Sequence, residues 1–430
     1  MSKRILILGG GLAGLSAAYF LKEKGIEAPV FEKEKECGGL CRSIKKDGFT
    51  FDFSGHLLHF RDSQNLALVK KLLKGNLVKH KRKAQVYAFN KFIPYPFQAS
   101  LSYLPKEIGK RCFDEFIEAQ DSSRVCFNGE SFFEWVNKKF GTGIADYFMV
   151  PYNDKFWNTS SKKLQFSWAE RFIAVPSVKD MVKSYKGGKL EDLGYNSYFW
   201  YPKTGGIEEL IKAFCRKNKS INLGFEVKSI DLKNKVVEFK NKVKEKFDLL
   251  ISTIPLPELS KIIKSLPDKI KADFKKLRWV SIYNLNLGLE GNVCSQRHWI
   301  YFPQKDISFF RTGFFHNFSS ALAPAEKSSL YAEVSYSKNK PIDKKNITSR
   351  IIQHLKKTGI LSKGIKVCVK QANDIKYGYP IYDHNYQKAR DKLISYLADN
   401  NIISRGRFGN WRYFSMEDVI IEAKQTTDNV

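Results

Sequence analysis

Apolar residues open the chain in three blocks of different length. Ile5 to Leu8 is an unbroken apolar run of strand length, Leu12 to Lys24 repeats apolar positions at helical spacing and stops at Gly25, and Ala28 to Glu32 is strand-like again. Continuous apolar strands joined through a helix predict a βαβ unit and a parallel sheet. From about Leu101 to Ser184 helix formers and aromatics dominate, and helices are predicted at Lys106 to Ala119, Ser131 to Phe140 and Ser167 to Phe172. Between Phe225 and Ile254 the pattern changes to short strands, Glu226 to Leu232, Val236 to Phe239 and Leu249 to Ile254, set apart by lysine and asparagine turns. These predict a return to the first domain. From Val280 to Val369 aromatic and β-branched segments alternate with polar turns, which predicts an antiparallel sheet. Neither a repeat nor a low-complexity linker is visible, so the domains are expected to interleave.

Composition changes this picture little. With 43 % hydrophobic residues over 430 positions, the chain has material for a large core and two or three domains, and disorder is excluded. A formal charge of +29 is compatible with nucleic acid, an anionic membrane surface or an anionic small substrate. Nucleic acid is disfavoured, because arginine-rich repeats, zinc-finger spacing and aromatic RNA-binding signatures are all missing. The lysine-rich stretch Lys70 to Lys83 reads as a solvated face, with peripheral phospholipid contact as the alternative. Cysteines at 37, 41, 112, 126, 215, 294 and 368 are odd in number and lack metal-ligand spacing, which points to reduced thiols in a cytoplasm. Lys3 and Arg4 before an apolar run imitate a signal peptide, but three consecutive glycines interrupt it and no small-residue cleavage site follows. No metal site is expected.

Chemistry enters at the first turn. Gly9, Gly11 and Gly14 form G-x-G-x-x-G between the first strand and helix. The first glycine permits the turn, the second lets the backbone approach a pyrophosphate, and the third lets helix and strand pack closely. Glu32, 18 residues past Gly14, ends the second strand with a carboxylate suited to ribose hydroxyls and repellent to a 2′-phosphate. Gly38, Gly39, Arg42 and Ser43 follow at once, a second glycine pair with a cation, which moves the choice from NAD to FAD.

The run Gly38-Gly39-Leu40-Cys41-Arg42-Ser43 and the run Phe51-Asp52-Phe53-Ser54-Gly55-His56 resemble the amine oxidase and protoporphyrinogen oxidase group of flavoproteins. Later segments resemble, within that group, the UDP-galactopyranose mutase family. They are Phe92-Ile93-Pro94-Tyr95-Pro96-Phe97-Gln98, Pro151-Tyr152-Asn153 with Trp157, Trp168-Ala169-Glu170-Arg171 and Tyr201-Pro202-Lys203-Thr204-Gly205-Gly206. Trp299-Ile300-Tyr301-Phe302-Pro303 leading to Arg311, Tyr379-Pro380 and Gly406-Arg407-Phe408-Gly409-Asn410-Trp411-Arg412-Tyr413 complete the series. The resemblance implies an α/β fold in which a Rossmann-like FAD-binding domain (1–78, 204–262, 399–430) is interleaved with a helical domain (99–190) and a sheet domain (79–98, 191–203, 263–398). It also implies a flavin-dependent, redox-neutral isomerisation of UDP-galactopyranose to UDP-galactofuranose, or of a related nucleotide sugar, through a flavin N5–sugar adduct.

Such an activity needs a grip on a departing diphosphate, and guanidiniums give it with fixed, paired donors. By resemblance Arg311 and Arg407 take that role and His56 lies beside the flavin; the duller reading makes both arginines ordinary surface cations. Gly55, Val227 and Gly406 join Gly9, Gly11, Gly14, Glu32, Gly38, Gly39 and Arg42 as expected FAD contacts. Tyr301, Tyr379 and Tyr413 are expected to hydrogen-bond the diphosphate, and the alternative is a set of core aromatics. Tyr95, Gln98, Asn153, Trp157 and Trp299 are expected on the substrate side, with a purely structural role open for Trp157. Arg171 and Asn196 lie near segments that act as mobile flaps in the family. Two residues depart from the family pattern: Ser54, where glycine is expected beside the flavin, and Glu417, expected near the diphosphate, where an unpaired carboxylate would be unfavourable. NAD(P)H is the expected reductant, and a cell-surface polysaccharide the destination of the product. The rival readings are an FAD-dependent oxidase or desaturase and a non-enzymatic, flavin-bearing peripheral membrane protein.

Overall fold

A computed structural model describes residues 3–121, 130–188, 190, 194, 196–291, 293 and 296–430; Cys126 and Cys294, read above as reduced thiols, lie outside them. The apolar runs at the start behave as expected. Ile5–Leu8 is fully buried at the centre of a five-stranded parallel sheet, with Leu249–Ser252 and then Ile402–Ser404 on one side, and Val30–Glu32 and then Ile221–Leu223 on the other. Burial on both faces is why these strands are continuously apolar rather than alternating. The connecting helix is Leu12–Glu23, and the C-terminal helix Met416–Asp428 packs against it.

The short strands expected between Phe225 and Ile254 are present, but they do not all join this sheet. Only Ile221–Leu223 and Leu249–Ser252 join it, while Val227–Asp231, Val236–Phe239 and Lys244–Lys246 form a separate three-stranded antiparallel sheet. The lysine and asparagine turns are too short for a parallel crossover, so these strands pair as neighbours. Val237 and Phe239 still reach the core beside Leu6, Leu8 and Phe31.

A seven-stranded sheet runs in the order Lys366–Pro380, Trp279–Glu290, Lys327–Tyr336, Arg311–Phe314, Trp299–Tyr301, Ala84–Ala88, Lys91–Pro94. All its pairs are antiparallel except Trp299–Tyr301 with Ala84–Ala88. The predicted run from Val280 is therefore a real sheet, though the helix Ile347–Lys357 interrupts it. The helical region carries Lys106–Asp121, Phe132–Ile144 and Val150–Phe156; Ser131 caps the second of these reciprocally with Glu134. The helix expected from Ser167 shrinks to Ala169–Phe172. Among the described residues no helix is long and apolar enough to cross a membrane, and no cluster of His, Cys, Asp or Glu could hold a metal.

Candidate functional site

At the first turn the structure builds an anion site from backbone. Gly11 caps the helix Leu12–Glu23 without any side-chain hydrogen bond, so the first amides of the helix are left to a ligand. A Cβ on Gly14 would stand 2.0 Å from the Gly9 carbonyl oxygen, and Gly9 itself has φ +105°. Across the turn, Gly38 donates its N–H to the Gly10 carbonyl at 2.9 Å, and a Cβ on Gly11 would meet only Gly39 Cα, 4.0 Å away. Two glycine loops thus face each other with bare walls and available amides. Glu32 is buried, its Oε2 accepting from Gly10 N at 2.6 Å and its Oε1 from Glu34 N at 3.0 Å. Val227 stands on the neighbouring small sheet, two residues beyond Phe225, whose N–H donates to the Glu32 carbonyl. Gly406 closes the far side: its φ is +81°, and a Cβ there would lie 2.6 Å from Ala13 Cβ. These features fit FAD: amides for a pyrophosphate, a fixed carboxylate for a ribose, and glycines wherever a side chain would intrude. Arg42, expected to meet the cofactor, donates to Gly39 O and Glu36 at 3.0 Å each and lies over the Phe53 ring. It braces the loop that carries the second glycine pair.

The segment leading to His56 is held from below. Asp52 is fully buried and accepts from Ser43 Oγ (2.6 Å), Tyr201 Oη (2.6 Å) and Ile207 N (3.2 Å). Burial raises its pKa to about 6, partly offset by those hydrogen bonds. The side chain of Asn286, on the sheet strand beneath, donates to the Asp52 carbonyl. Ser54 has φ +78°, a conformation that suits glycine, which is the residue expected there. Two contacts hold it: its amide donates to Asn284 Oδ1, and its hydroxyl donates to Glu333. A Cβ on Gly55 would collide with Tyr331 Oη at 2.2 Å. His56 follows, half-buried, with its pKa lowered to about 4 by burial and then by the nearby Arg407 and Arg311 cations. It is a neutral imidazole at physiological pH, and its Nδ1 lacks a partner.

Near this segment tyrosines and two arginines gather in a buried cluster, both guanidiniums close enough to act on His56. Arg311, at the start of its strand, pairs bidentately with Glu333 on the adjacent strand, through Nε and through Nη2 at 3.0 Å. Burial opposes its charge, but the Glu333 carboxylate overrules burial and holds the guanidinium firmly protonated. Arg407 is held differently: Nη1 donates to Phe414 O (2.6 Å) and Nη2 to Gly378 O (3.2 Å), and the guanidinium carbon sits 4.8 Å from the Tyr379 ring and 4.9 Å from that of Tyr413. Among the described residues no carboxylate forms an ion pair with it. The cluster therefore has one neutralised and one uncompensated guanidinium. Tyr95, Tyr152 and Tyr301 pack together on one side, and Tyr379 and Tyr413 (5.3 Å) on the other. Burial raises the hydroxyl pKa of Tyr95, Tyr152, Tyr301 and Tyr413, so each is a neutral donor.

The remaining expected substrate residues divide. Trp157 has no exposed surface and sets its ring edge-on against Phe156, Trp168, Tyr379 and Tyr413, so it backs the wall and offers no open face to a base. Asn153 is buried, its amide spent on Met149 O at 2.8 Å. Gln98 donates to Ala174 O at 2.9 Å, and its Oε1 is left without a partner. Trp299 is buried against Phe199, on the same strand as Tyr301. Asn196 accepts from Arg82, whose guanidinium lies 4.8 Å from the Tyr95 ring. Arg171 pairs with Asp418, which also takes Arg61 Nη2 at 2.6 Å. The concern over Glu417 is resolved by geometry. Its carboxylate is not unpaired: it is buried and accepts from the backbone N–H groups of Arg61 and Asp62 at 2.9 Å each, and from Arg61 Nε at 3.3 Å. It anchors the chain between His56 and the helix Ser63–Leu73. Sequence reasoning missed Glu333, Arg82 and the wall role of Tyr152. The signal for Glu333 was a single carboxylate in the otherwise uncharged strand Ser328 to Tyr336.

Comparison with known proteins bears on this geometry. The family model of flavin containing amine oxidoreductases matches residues 12–374. A coproporphyrinogen III oxidase of Staphylococcus aureus is 23 % identical over 287 residues, 59 % of this chain and 61 % of that enzyme. A mitochondrial protoporphyrinogen oxidase of Nicotiana tabacum is 45 % identical over 51 residues, 12 % of this chain and 10 % of that one. The chain thus spans less than two thirds of either curated relative. A crystal structure of reduced UDP-galactopyranose mutase superposes with a TM-score of 0.95 at 28 % identity, covering 100 % of this chain and 94 % of that one.

Proposed function

We propose, from the premise that the chain belongs to the flavin containing amine oxidoreductase family and binds FAD, that it interconverts UDP-galactopyranose and UDP-galactofuranose, or a closely related pair of nucleotide sugars, without net redox change. The observation that carries this reading is the pair of guanidiniums, Arg311 and Arg407, set among tyrosines and both near His56. FAD, when bound and reduced, supplies a nucleophilic ring nitrogen, N5, and a flat surface for a sugar. The chain supplies the rest. Arg407, free of a carboxylate, is the stronger electrostatic anchor for a diphosphate. Arg311 retains donor capacity at Nη1 while Glu333 fixes its orientation. Buried tyrosine hydroxyls donate to phosphate oxygens without risk of ionising, and the aromatic walls exclude water, which strengthens every charge contact inside. His56, neutral above about pH 4, adds no charge beside the sugar. A porphyrinogen or carotenoid oxidase needs an apolar tunnel and has no use for an uncompensated cation at its centre. NAD(P)H is the proposed reductant, a cytoplasmic location and supply of furanose to a surface polysaccharide the proposed setting.

The test is to incubate dithionite-reduced protein with UDP-galactofuranose and follow the pyranose by chromatography. Many turnovers per reductant, and none from oxidised protein, support the mutase. Absence of conversion with the UDP-galactose, UDP-arabinose, UDP-N-acetylgalactosamine and dTDP-fucose pairs, together with oxygen-dependent peroxide from an amine or cyclic substrate, would replace it with the oxidase.

A further inference from the structure

The lysines between Lys70 and Lys83, which the sequence presents as one solvated run, are sorted by the fold. Val78–Lys81 pairs antiparallel with Tyr198–Tyr201, so that Lys79 stands opposite Trp200, Lys81 opposite Tyr198, and His80 opposite Phe199. Opposed residues share a face of such a ribbon, and the faces alternate along each strand. The face with His80 and Phe199 turns inward: Phe199 has no exposed surface, and the His80 ring stacks on it beside His298. The other face carries two lysines and two amphipathic rings. Lys79 Nζ lies 4.4 Å from the centre of the Tyr198 ring and 5.9 Å from that of Trp200, and Lys70, on the helix Ser63–Leu73, brings its Nζ to 4.9 Å from the Trp200 ring. Lys70, Lys74, Lys79 and Lys81 are exposed, and Tyr198 is 38 % exposed.

We propose that this face docks on an anionic lipid bilayer, with Lys70, Lys79 and Lys81 at the headgroups and Tyr198 and Trp200 between them. Charge complementarity favours it. Among the described residues Lys70, Lys74 and Lys79 form no ion pair, and the carboxylates of the neighbouring helices are engaged elsewhere: Asp62 caps its own helix, and Glu208 and Glu209 hold Lys212. An anionic surface attracts each such lysine, and the attractions accumulate. The rings favour it too. Tyrosine and tryptophan join an apolar body to a polar tip and settle at headgroup level, while lysine stems lie along apolar surface and keep their charge in water. RNA is a poorer fit, because a stacked base needs a bare ring face, and here lysine ammoniums lie over both rings. The face is firmly held: Trp200 exchanges both backbone hydrogen bonds with Leu58, at 2.7 and 3.0 Å, two residues beyond His56. Docking is independent of which reaction the flavin performs.

The test sediments the full chain, with FAD bound, against vesicles of phosphatidylcholine alone or mixed with phosphatidylglycerol. The parent should bind the mixed vesicles, release them as salt rises, and leave phosphatidylcholine vesicles in place. Lys70→Glu combined with Lys79→Glu should weaken binding by about tenfold or more. Tyr198→Ser, at unchanged charge, should weaken it severalfold. Flavin absorbance and the melting temperature check that each variant is folded, and Lys79→Gln replaces a charge reversal that is not. Lys244→Glu combined with Lys246→Glu, on the separate three-stranded sheet, makes the same change of charge and should bind as the parent does. An equal loss there, or full binding by the Lys70 and Lys79 variant, would overturn the location. Full binding by Tyr198→Ser would overturn the part given to the rings, and single-stranded RNA bound as tightly as the mixed vesicles at the same salt would overturn the bilayer as the partner.

Discussion

Around Gly9, Gly11 and Gly14 the groups that await a ligand are backbone amides, and the single carboxylate, Glu32, is itself held by the amides of Gly10 and Glu34. Around Arg311 and Arg407 the groups are side chains, drawn from segments as far apart as Tyr95 and Tyr413 and steadied by other side chains. The two regions therefore fail in opposite ways. A site made of backbone is destroyed by adding a side chain, and a site made of side chains by removing one.

The largest effect is expected at the backbone end. Gly14→Val places carbon where the Gly9 carbonyl already stands, and desalted protein should retain no flavin absorbance; full occupancy would break the comparison at its root. Next comes Arg311→Ala, which leaves Glu333 buried without its cation and should cost about 3 to 5 kcal/mol of stability in urea melts. A loss confined to ligand affinity would mean the pair with Glu333 is not structural.

Asp52 tests the floor between the regions. Its folded pKa of about 6 exceeds its ordinary 3.8, so its contribution to stability is complete below about pH 4 and is lost as pH rises through 6. The span amounts to roughly 3 kcal/mol. His56 has the opposite sign: its contribution is present above about 6.5 and lost as pH falls toward 4. Comparing Asp52→Asn with the parent at each pH cancels His56, and the stability difference should change across pH 4 to 6; a flat difference would remove burial as the cause.

Arg407→Ala should weaken UDP binding by about tenfold to over a hundredfold, equivalent to roughly 1.5 to 3 kcal/mol, while flavin content stays whole. Calorimetry with unchanged affinity would remove Arg407 as the anchor. The smallest expected effect separates two changes at one position. Ser54→Ala removes the hydroxyl from Glu333 and keeps the positive φ, whereas Ser54→Gly removes the hydroxyl and relieves the backbone by about 1 kcal/mol. The glycine variant should melt higher than the alanine one, and the reverse order would mean that φ carries no strain.

Sequence exposed these regions unequally, for the same physical reason. The glycine spacing and Glu32 lie within one βαβ unit, where local geometry dictates residue type, so the nucleotide end could be read directly. The arginine and tyrosine cluster has no local period, and Arg311, Arg407 and the tyrosines were found through resemblance to a family. Glu333 escaped because its meaning depends on strand pairing with Arg311, and Glu417 was misplaced because nothing local reveals that it turns toward the amides of Arg61 and Asp62. Trp157 could not be assigned between wall and ligand until its neighbours were known. The short strands after Phe225 were legible as strands, but strand propensity says where a strand is and not which sheet it joins.

The order of the parallel sheet has a bearing on how the molecule is made. Ile5–Leu8 is made about 240 positions ahead of one of its flanking strands, Leu249–Ser252, and the edge beyond that is Ile402–Ser404. At translation speeds of roughly 5 to 20 residues per second, the opening strand waits tens of seconds with an unpaired apolar edge before its partner exists. A nascent chain of this design has a prolonged interval in which a holding chaperone is useful, and in which synthesis halted before the last strands yields a polypeptide unable to complete its cofactor domain.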